Sequence, residues 1–250
     1  MIKVVDVSKA FNDKQVLTNV NAVFEQGKVN LVIGKSGSGK TVLLKSLVGL
    51  HEVDSGSILF DGRDFTQLKE KDRANIRKEV GMLFQGSALF DSATIEENIM
   101  YPLDMFTDMS SQEKLERANF CIDRVNLTGA NDKFPSEISG GMQKRAAIAR
   151  AIALNPKYLF CDEPNSGLDP QTAIVIDRLI QEITHEYNIT TVVNTHDMNS
   201  VFAVSDSLVF IHEGCSWWNG TKEELLNSEN DQLDDFLYSS ELMQKLKNNR

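Results

Sequence analysis

The sequence predicts an α/β protein: a mixed, largely parallel core sheet, an antiparallel β layer in its N-terminal part and a helical subdomain inserted into the core. Three observations predict it. Short apolar strands alternate with helical stretches both early and late in the chain, and strands joined in that way lie parallel. The first thirty residues read instead as short strands separated by turn residues, which suits an antiparallel layer. Between about residues 86 and 155 helical spacing takes over.

Taken in order, Val4 to Val7 alternates like a strand, Asn12-Asp13-Lys14 marks a turn, and Val20 to Phe24 forms a second strand that stops at Gln26-Gly27. Val29 to Ile33 is a compact apolar strand, followed by a glycine-rich turn and a helix from Thr41 to Leu50. Ser57 to Phe60 with Asp61-Gly62 reads as a hairpin, Lys69 to Arg77 as a charged helix and Val80 to Phe84 as a strand. Ser110 and Glu113 make a capping box, after which Leu115, Ala118, Ile122 and Val125 recur at helical spacing. Tyr158 to Cys161 is a strand, Thr172 to Tyr187 a helix, Thr190 to Asn194 a strand, and Leu208 to His212 with Gly214 a late edge hairpin. In the tail, Leu233, Phe236, Leu237, Leu242, Met243 and Leu246 fit one helical face. No internal repeat, low-complexity segment or linker interrupts the chain.

Composition excludes several function classes. A length of 250 residues with 41% hydrophobic side chains supports a sizeable core. The formal net charge of −10 argues against a nucleic-acid partner, which needs a basic surface for phosphates. Cys121, Cys161 and Cys215 are odd in number and widely spaced, so neither a disulfide framework nor a zinc site is expected and a reducing compartment fits. Cys121 and Cys161 read as small core residues. The opening strand is unlike a signal peptide, and no run approaches the roughly 20 apolar residues of a membrane span. Spanning helices, if the function needs them, are expected from a partner.

The strongest chemical signal is Gly34-Lys35-Ser36-Gly37-Ser38-Gly39-Lys40-Thr41, the GxxxxGK[ST] pattern between a strand and a helix. Glycines let successive backbone N–H groups point at phosphate oxygens, and the helix that follows adds its positive end. Lys40 is expected to reach the β and γ phosphates of ATP, and the Thr41 hydroxyl to ligate Mg2+. A second signal is the apolar strand Tyr158-Leu159-Phe160-Cys161 ending in Asp162-Glu163. Asp162 is expected to support the magnesium ion, and Glu163 to orient or deprotonate the attacking water.

Together with Ile138-Ser139-Gly140-Gly141-Met142, a turn just upstream of that strand, these motifs resemble the P-loop ATPases of ABC transporters. The resemblance covers about residues 2 to 225. It implies that the Ser139-Gly140-Gly141 turn opens a helix whose N-terminus contacts the γ-phosphate bound to a second copy, so that two copies sandwich ATP. It further implies an adenine-stacking role for Phe11, a magnesium-sensing role for Gln85 in the Q-loop and a γ-phosphate switch role for His196. Asp169 falls in the D-loop, Ser166-Gly167-Leu168-Asp169. The sequence departs from the family where Met142 replaces the usual glutamine, with Gln143 one place later.

The stretch 84–102, with Met142-Gln143-Lys144-Arg145 and Glu163-Pro164-Asn165-Ser166-Gly167-Leu168-Asp169-Pro170, is similar to the ATPases of MCE-type lipid transporters, the Mla group. That resemblance implies phospholipid transport powered from the cytoplasmic face of the inner membrane, with permease subunits, an MCE-domain protein and a small regulatory subunit as partners. An importer for amino acids or another small solute is the alternative. Non-transport relatives acting on ribosomes or DNA usually carry fused copies or basic arms, and a small-molecule kinase lacks the Ser139-Gly140-Gly141 turn and His196. By resemblance, the core occupies about 1–85 and 156–225, the helical subdomain 86–155 offers a groove for a permease helix, and 226–250 form a helical tail. Trp217-Trp218 reads as a pair of strand aromatics, with a partner-contact patch as the sharper reading.

Overall fold

In order along the chain, the elements are β1 (Ile2–Phe11), β2 (Lys14–Phe24), β3 (Val29–Ile33), α1 (Lys40–Leu47), β4 (Ser55–Phe60), β5 (Arg63–Asp64), α2 (Glu70–Lys78), β6 (Val80–Leu83) and α3 (Ile95–Phe106). There follow α4 (Ser111–Arg124), α5 (Gly140–Ile152), β7 (Tyr158–Asp162), α6 (Pro170–Glu186), β8 (Thr190–Thr195), α7 (Met198–Val204), β9 (Ser207–His212), β10 (Cys215–Gly220), α8 (Lys222–Leu225) and α9 (Asp231–Leu237). The computed structural model describes residues 1–225, 227, 228 and 230–238. It comprises two units, one of residues 1–25, 29–67 and 194 onward, the other of residues 26–28 and 68–193.

In the first unit, β1 is flanked antiparallel by β2 and β4, in the order β2-β1-β4-β5. Ile2 stands opposite both Phe24 and Phe60, and all three are fully buried. This is the expected antiparallel layer. A second group of strands places β3 parallel to β9, Asn30 opposite Ser207 through Ile33 opposite Phe210, and β10 antiparallel to β9. All five residues of β3 are buried, as suits the mostly apolar run of a parallel strand. Its one polar member, Asn30, is satisfied: Nδ2 donates to the Glu25 carbonyl at 3.0 Å, while Oδ1 accepts from Glu25 N–H and the Ser207 hydroxyl.

The helix expected over 41–50 stops at Leu47. Gly49, at φ +75°, donates to the Ser46 carbonyl at 3.1 Å, and Leu50 N–H reaches Lys45 at 2.8 Å. These two bonds and the left-handed glycine form a Schellman stop. In the tail, Leu233, Phe236 and Leu237 are buried on α9 as the pattern predicts, with Phe236 stacked 5.5 Å from Phe210. Leu242, Met243 and Leu246 lie outside the described residues.

In the second unit, β6 pairs parallel with β7, and β7 lies between β6 and β8. The expected capping box holds α4: Ser110 Oγ accepts from Glu113 N–H and the Glu113 carboxylate accepts from Ser110 N–H at 2.7 Å. Thr94 and Glu97 build the same box on α3. Asn126 and Asn188, both left-handed, end α4 and α6 with the same paired stop as Gly49. Cys121 and Cys161 are buried core residues, and burial pushes the Cys121 thiol up to about 11 and that of Cys161 further up. Among the described residues no helix is long and apolar enough to cross a membrane.

Candidate nucleotide-binding site

The glycine-rich turn joins β3 to α1 in the first unit. Gly34, Gly37 and Gly39 have φ of +151°, +79° and +106°, so the loop has a shape that residues with side chains rarely adopt. A β carbon on Gly34 would lie 2.2 Å from the Ile211 carbonyl oxygen and 2.8 Å from Ser38 Oγ. Ser38 Oγ is itself buried with no hydrogen-bond partner among the described residues. An unsatisfied buried hydroxyl costs free energy unless something polar meets it, and a phosphate oxygen against this loop fits. Lys35, Ser36 and Gly37 are exposed at the loop tip, whereas Lys40 is buried, its Nζ donating to the carbonyls of Gly34 at 2.9 Å and Lys35 at 3.1 Å. The two carbonyls hold the ammonium against the loop.

Thr41 opens α1, and its hydroxyl accepts from Asn194 Nδ2 at 3.1 Å. Asn194 is fully buried near the end of β8, and motif reading missed it as a site residue. His196, two residues on, is exposed. Phe11 is 39% exposed, with His51 edge-on at 5.1 Å and Lys9 Nζ 5.2 Å from its ring centre. An aromatic face left outside the core is what stacking on a flat base requires.

In the second unit, Asp162 is the last residue of β7 and only 5% exposed. Glu163, half-buried, follows at φ +46°. A side-chain-bearing residue in that region costs about 1–2 kcal/mol, and such strain collects at functional positions. Gln85 Nε2 donates to Glu163 Oε2 at 3.3 Å and to Ser166 Oγ at 3.2 Å, bringing the predicted Q-loop, carboxylate and D-loop residues together. Asp169 caps α6, accepting from the N–H groups of Gln171 and Thr172 and from the Thr172 hydroxyl; these bonds hold its carboxyl below the ordinary range. Asn165 Nδ2 donates at 2.7 Å to Asp177, a buried carboxylate on α6.

Ser139 caps α5, its hydroxyl accepting from Met142 N–H at 3.3 Å. Gly141 is buried where a β carbon would stand 2.5 Å from Thr172 Cγ2, whereas Ser139 and Gly140 are exposed at the helix start. The amide of Gln143, one place after Met142, donates to the Pro135 carbonyl at 2.9 Å. Lys144, 4% exposed, donates to the Gln85 carbonyl, and burial lowers its pKa against the opposing pull of Cys161, Asp162 and Glu163.

The family described as ABC transporter matches residues 17–166, which include the phosphate loop, Gln85, the Ser139 turn and the Asp162-Glu163 pair. The chain belongs to the ABC transporter family. As a member of this family it is an ATP-hydrolysing cassette. It is 37% identical over 94% of its length to the probable ribonucleotide transport ATP-binding protein mkl of Mycobacterium leprae, of which it spans 68%. It is 36% identical over 95% of its length to the intermembrane phospholipid transport system ATP-binding protein MlaF of Haemophilus influenzae, spanning 90% of that protein. The methionine import ATP-binding protein MetN of Campylobacter jejuni is 34% identical over 97% of the chain, which spans 77% of it.

Among solved structures, a dimeric ATP-binding cassette in a post-hydrolysis state bound to ADP and Pi is 30% identical, with a TM-score of 0.79 over 88% of this chain and 98% of that one. The cbiO1 protein of Clostridium perfringens, part of the transporter complex cbiONQ, has a TM-score of 0.85 at 26% identity over 98% of both chains. The α/β architecture of this ABC ATPase is therefore the family's own. Hydroxyl and carboxylate oxygens such as those of Thr41 and Asp162 are the hard donors that Mg2+ takes, one or two at a time beside substrate phosphates. Among the described residues there is no cluster of three or more His, Cys, Asp or Glu side chains able to hold a metal by themselves.

Proposed function

We propose that this chain is the ATP-hydrolysing subunit of an MCE-type transporter that moves phospholipid, working at the cytoplasmic face of the inner membrane. The observation that carries the reading is the 36% identity to the phospholipid transport ATPase over nearly the whole of both chains. The 34% identity to a methionine import subunit favours the solute-importer reading as the second one.

In this reading Lys40 and the amides of residues 34–41 bind the β and γ phosphates, Ser38 adds its hydroxyl, and Phe11 stacks on the adenine. Thr41, Gln85 and Asp162 would hold Mg2+, which when bound neutralises charge on the phosphate oxygens. Glu163 orients the attacking water and takes its proton, and His196 donates to the γ-phosphate. Ser139, Gly140 and Gly141 face the nucleotide of a second copy, and Asp169 fixes the D-loop beside it, so that the working unit is a homodimer. Exposed Phe90, Tyr101, Met105 and Phe106 on and before α3 support docking of a permease helix on the 86–155 region; the Phe90 and Tyr101 rings meet edge-on at 4.7 Å. An MCE-domain protein and a small regulatory subunit complete the proposed complex.

The test is affinity purification of the tagged chain from detergent-solubilised native membranes, with partners identified by mass spectrometry. Permease plus an MCE-domain protein supports lipid transport. A permease with a solute-binding protein overturns it in favour of import.

A further inference from the structure

The turn after β6 bends through Ser87 and Ala88, at φ +63° and +52°, neither of them a glycine. Such a conformation persists only where the surroundings hold it. Here the surroundings are two cations of α5. Lys144 Nζ donates to the Gln85 carbonyl, Arg150 Nη2 to Ser87 at 3.0 Å and Arg150 Nη1 to Ala88 at 2.9 Å. The planar guanidinium suits two adjacent carbonyls as an ammonium cannot.

The hold extends further. Arg150 Nη1 lies 3.5 Å from Asn98 Oδ1, and fully buried Asn98 donates to the carbonyls of Phe90, Ala93 and Thr94 and accepts from Phe90 N–H at 2.8 Å. Side chains, not regular structure, therefore fix the stretch 85–94. At its head the Gln85 side chain reaches Glu163 and Ser166.

We infer that Lys144 and Arg150 are positioning residues for ATP hydrolysis, clamping the helix that Ser139 opens onto the left-handed turn at 87–88 and so setting where Gln85 meets Glu163. The inference rests on the role proposed for Glu163. Arg150 acts through the backbone of the turn; Lys144 acts through the Gln85 carbonyl and its charge also reaches Asp162 and Glu163. Movement of α5 is then transmitted to Gln85 as a whole-loop displacement.

The experiment compares the full chain with Arg150→Met, Lys144→Met, Arg150→Lys and the double variant Arg150→Met/Ala88→Gly, reading amide hydrogen exchange at 87 and 88 and steady-state ATP hydrolysis. Arg150→Met and Lys144→Met should each raise exchange there and lower kcat about tenfold with KM for ATP within about twofold. Ala88→Gly should restore most of both in the Arg150→Met chain, because glycine adopts the turn without help; Arg150→Lys should restore little. Unchanged exchange in both single Met variants, or a kcat loss that follows thermal destabilisation and is not recovered by Ala88→Gly, overturns the clamp. Wild-type protein without ATPase activity would instead overturn the function proposed above, and the exchange measurement would still decide the clamp.

Discussion

Replacing Gly34 by alanine separates the phosphate loop's shape from its chemistry. The new methyl would lie 2.2 Å from the Ile211 carbonyl oxygen on β9, and β9 is tied by its register to β3, so neither side yields cheaply. Reaching ordinary contact needs a displacement of about 1 Å, an overpacking cost of about 1–3 kcal/mol. Holding alanine at a φ that glycine takes at +151° adds about 1–2 kcal/mol. The combined cost, about 2–5 kcal/mol, is smaller than a typical folding stability of about 5–15 kcal/mol, so the variant should fold but melt about 5–20 °C lower.

The displaced loop should also lose two or so charge-assisted bonds to phosphate, about 3 kcal/mol or a hundredfold in ATP affinity. Gly62→Ala is the matched control: its φ is +81° but no atom lies within 4 Å of the added carbon, so it should cost about 1 kcal/mol and leave ATP affinity alone. Differential scanning fluorimetry and equilibrium dialysis with labelled ATP measure both. Equal melting points and equal affinities for the two variants would refute the steric reasoning.

Asn194→Ala should remove the amide donor that orients the Thr41 hydroxyl, destabilise the fold by about 1 kcal/mol and raise the magnesium concentration needed for half-maximal hydrolysis, measured by an ATPase titration. Ser110→Ala tests the cap of α4. The Ser110 hydroxyl and then its backbone hold the Glu113 carboxyl below its ordinary value, so the stability they supply is present above the ordinary glutamate pKa and lost as pH falls through the lowered one. The melting-temperature gap between wild type and variant should thus be widest at neutral pH and narrow in acid, leaving the part that the Glu113 N–H bond to the Ser110 hydroxyl supplies. In the folded protein, maleimide should label Cys215, which is half-buried, well before Cys121 or Cys161, whose buried thiols are pushed up; peptide mass spectrometry reads the order.

Much of the fold was legible because burial on both faces leaves a plain mark: Val29 to Ile33 was read residue for residue as β3. Helix ends were less legible. Gly49, Asn126 and Asn188 stop their helices through left-handed turns, and a glycine or asparagine carries that signal only when its carbonyl partners are known. The Thr94–Glu97 box carried the same T/S-x-x-E signature as Ser110–Glu113 and was readable but overlooked. The motifs placed Lys40, Thr41, Asp162, Glu163, Gln85 and Ser139 at strand ends, helix starts and turns, as expected. The roles of Asn194, Lys144, Arg150 and Asn98 are not legible in the sequence because they act on another side chain or on backbone carbonyls, mostly distant in sequence, and such contacts impose no spacing pattern.

The most direct test is sedimentation velocity of wild type and Glu163→Gln with and without MgATP, alongside their hydrolysis rates. Glu163→Gln should bind ATP, hydrolyse it at least about a hundredfold more slowly than wild type and sediment as a dimer only with ATP present. A Glu163→Gln chain that hydrolyses ATP at the wild-type rate and remains a monomer with ATP would contradict both the role of Glu163 and the shared nucleotide site.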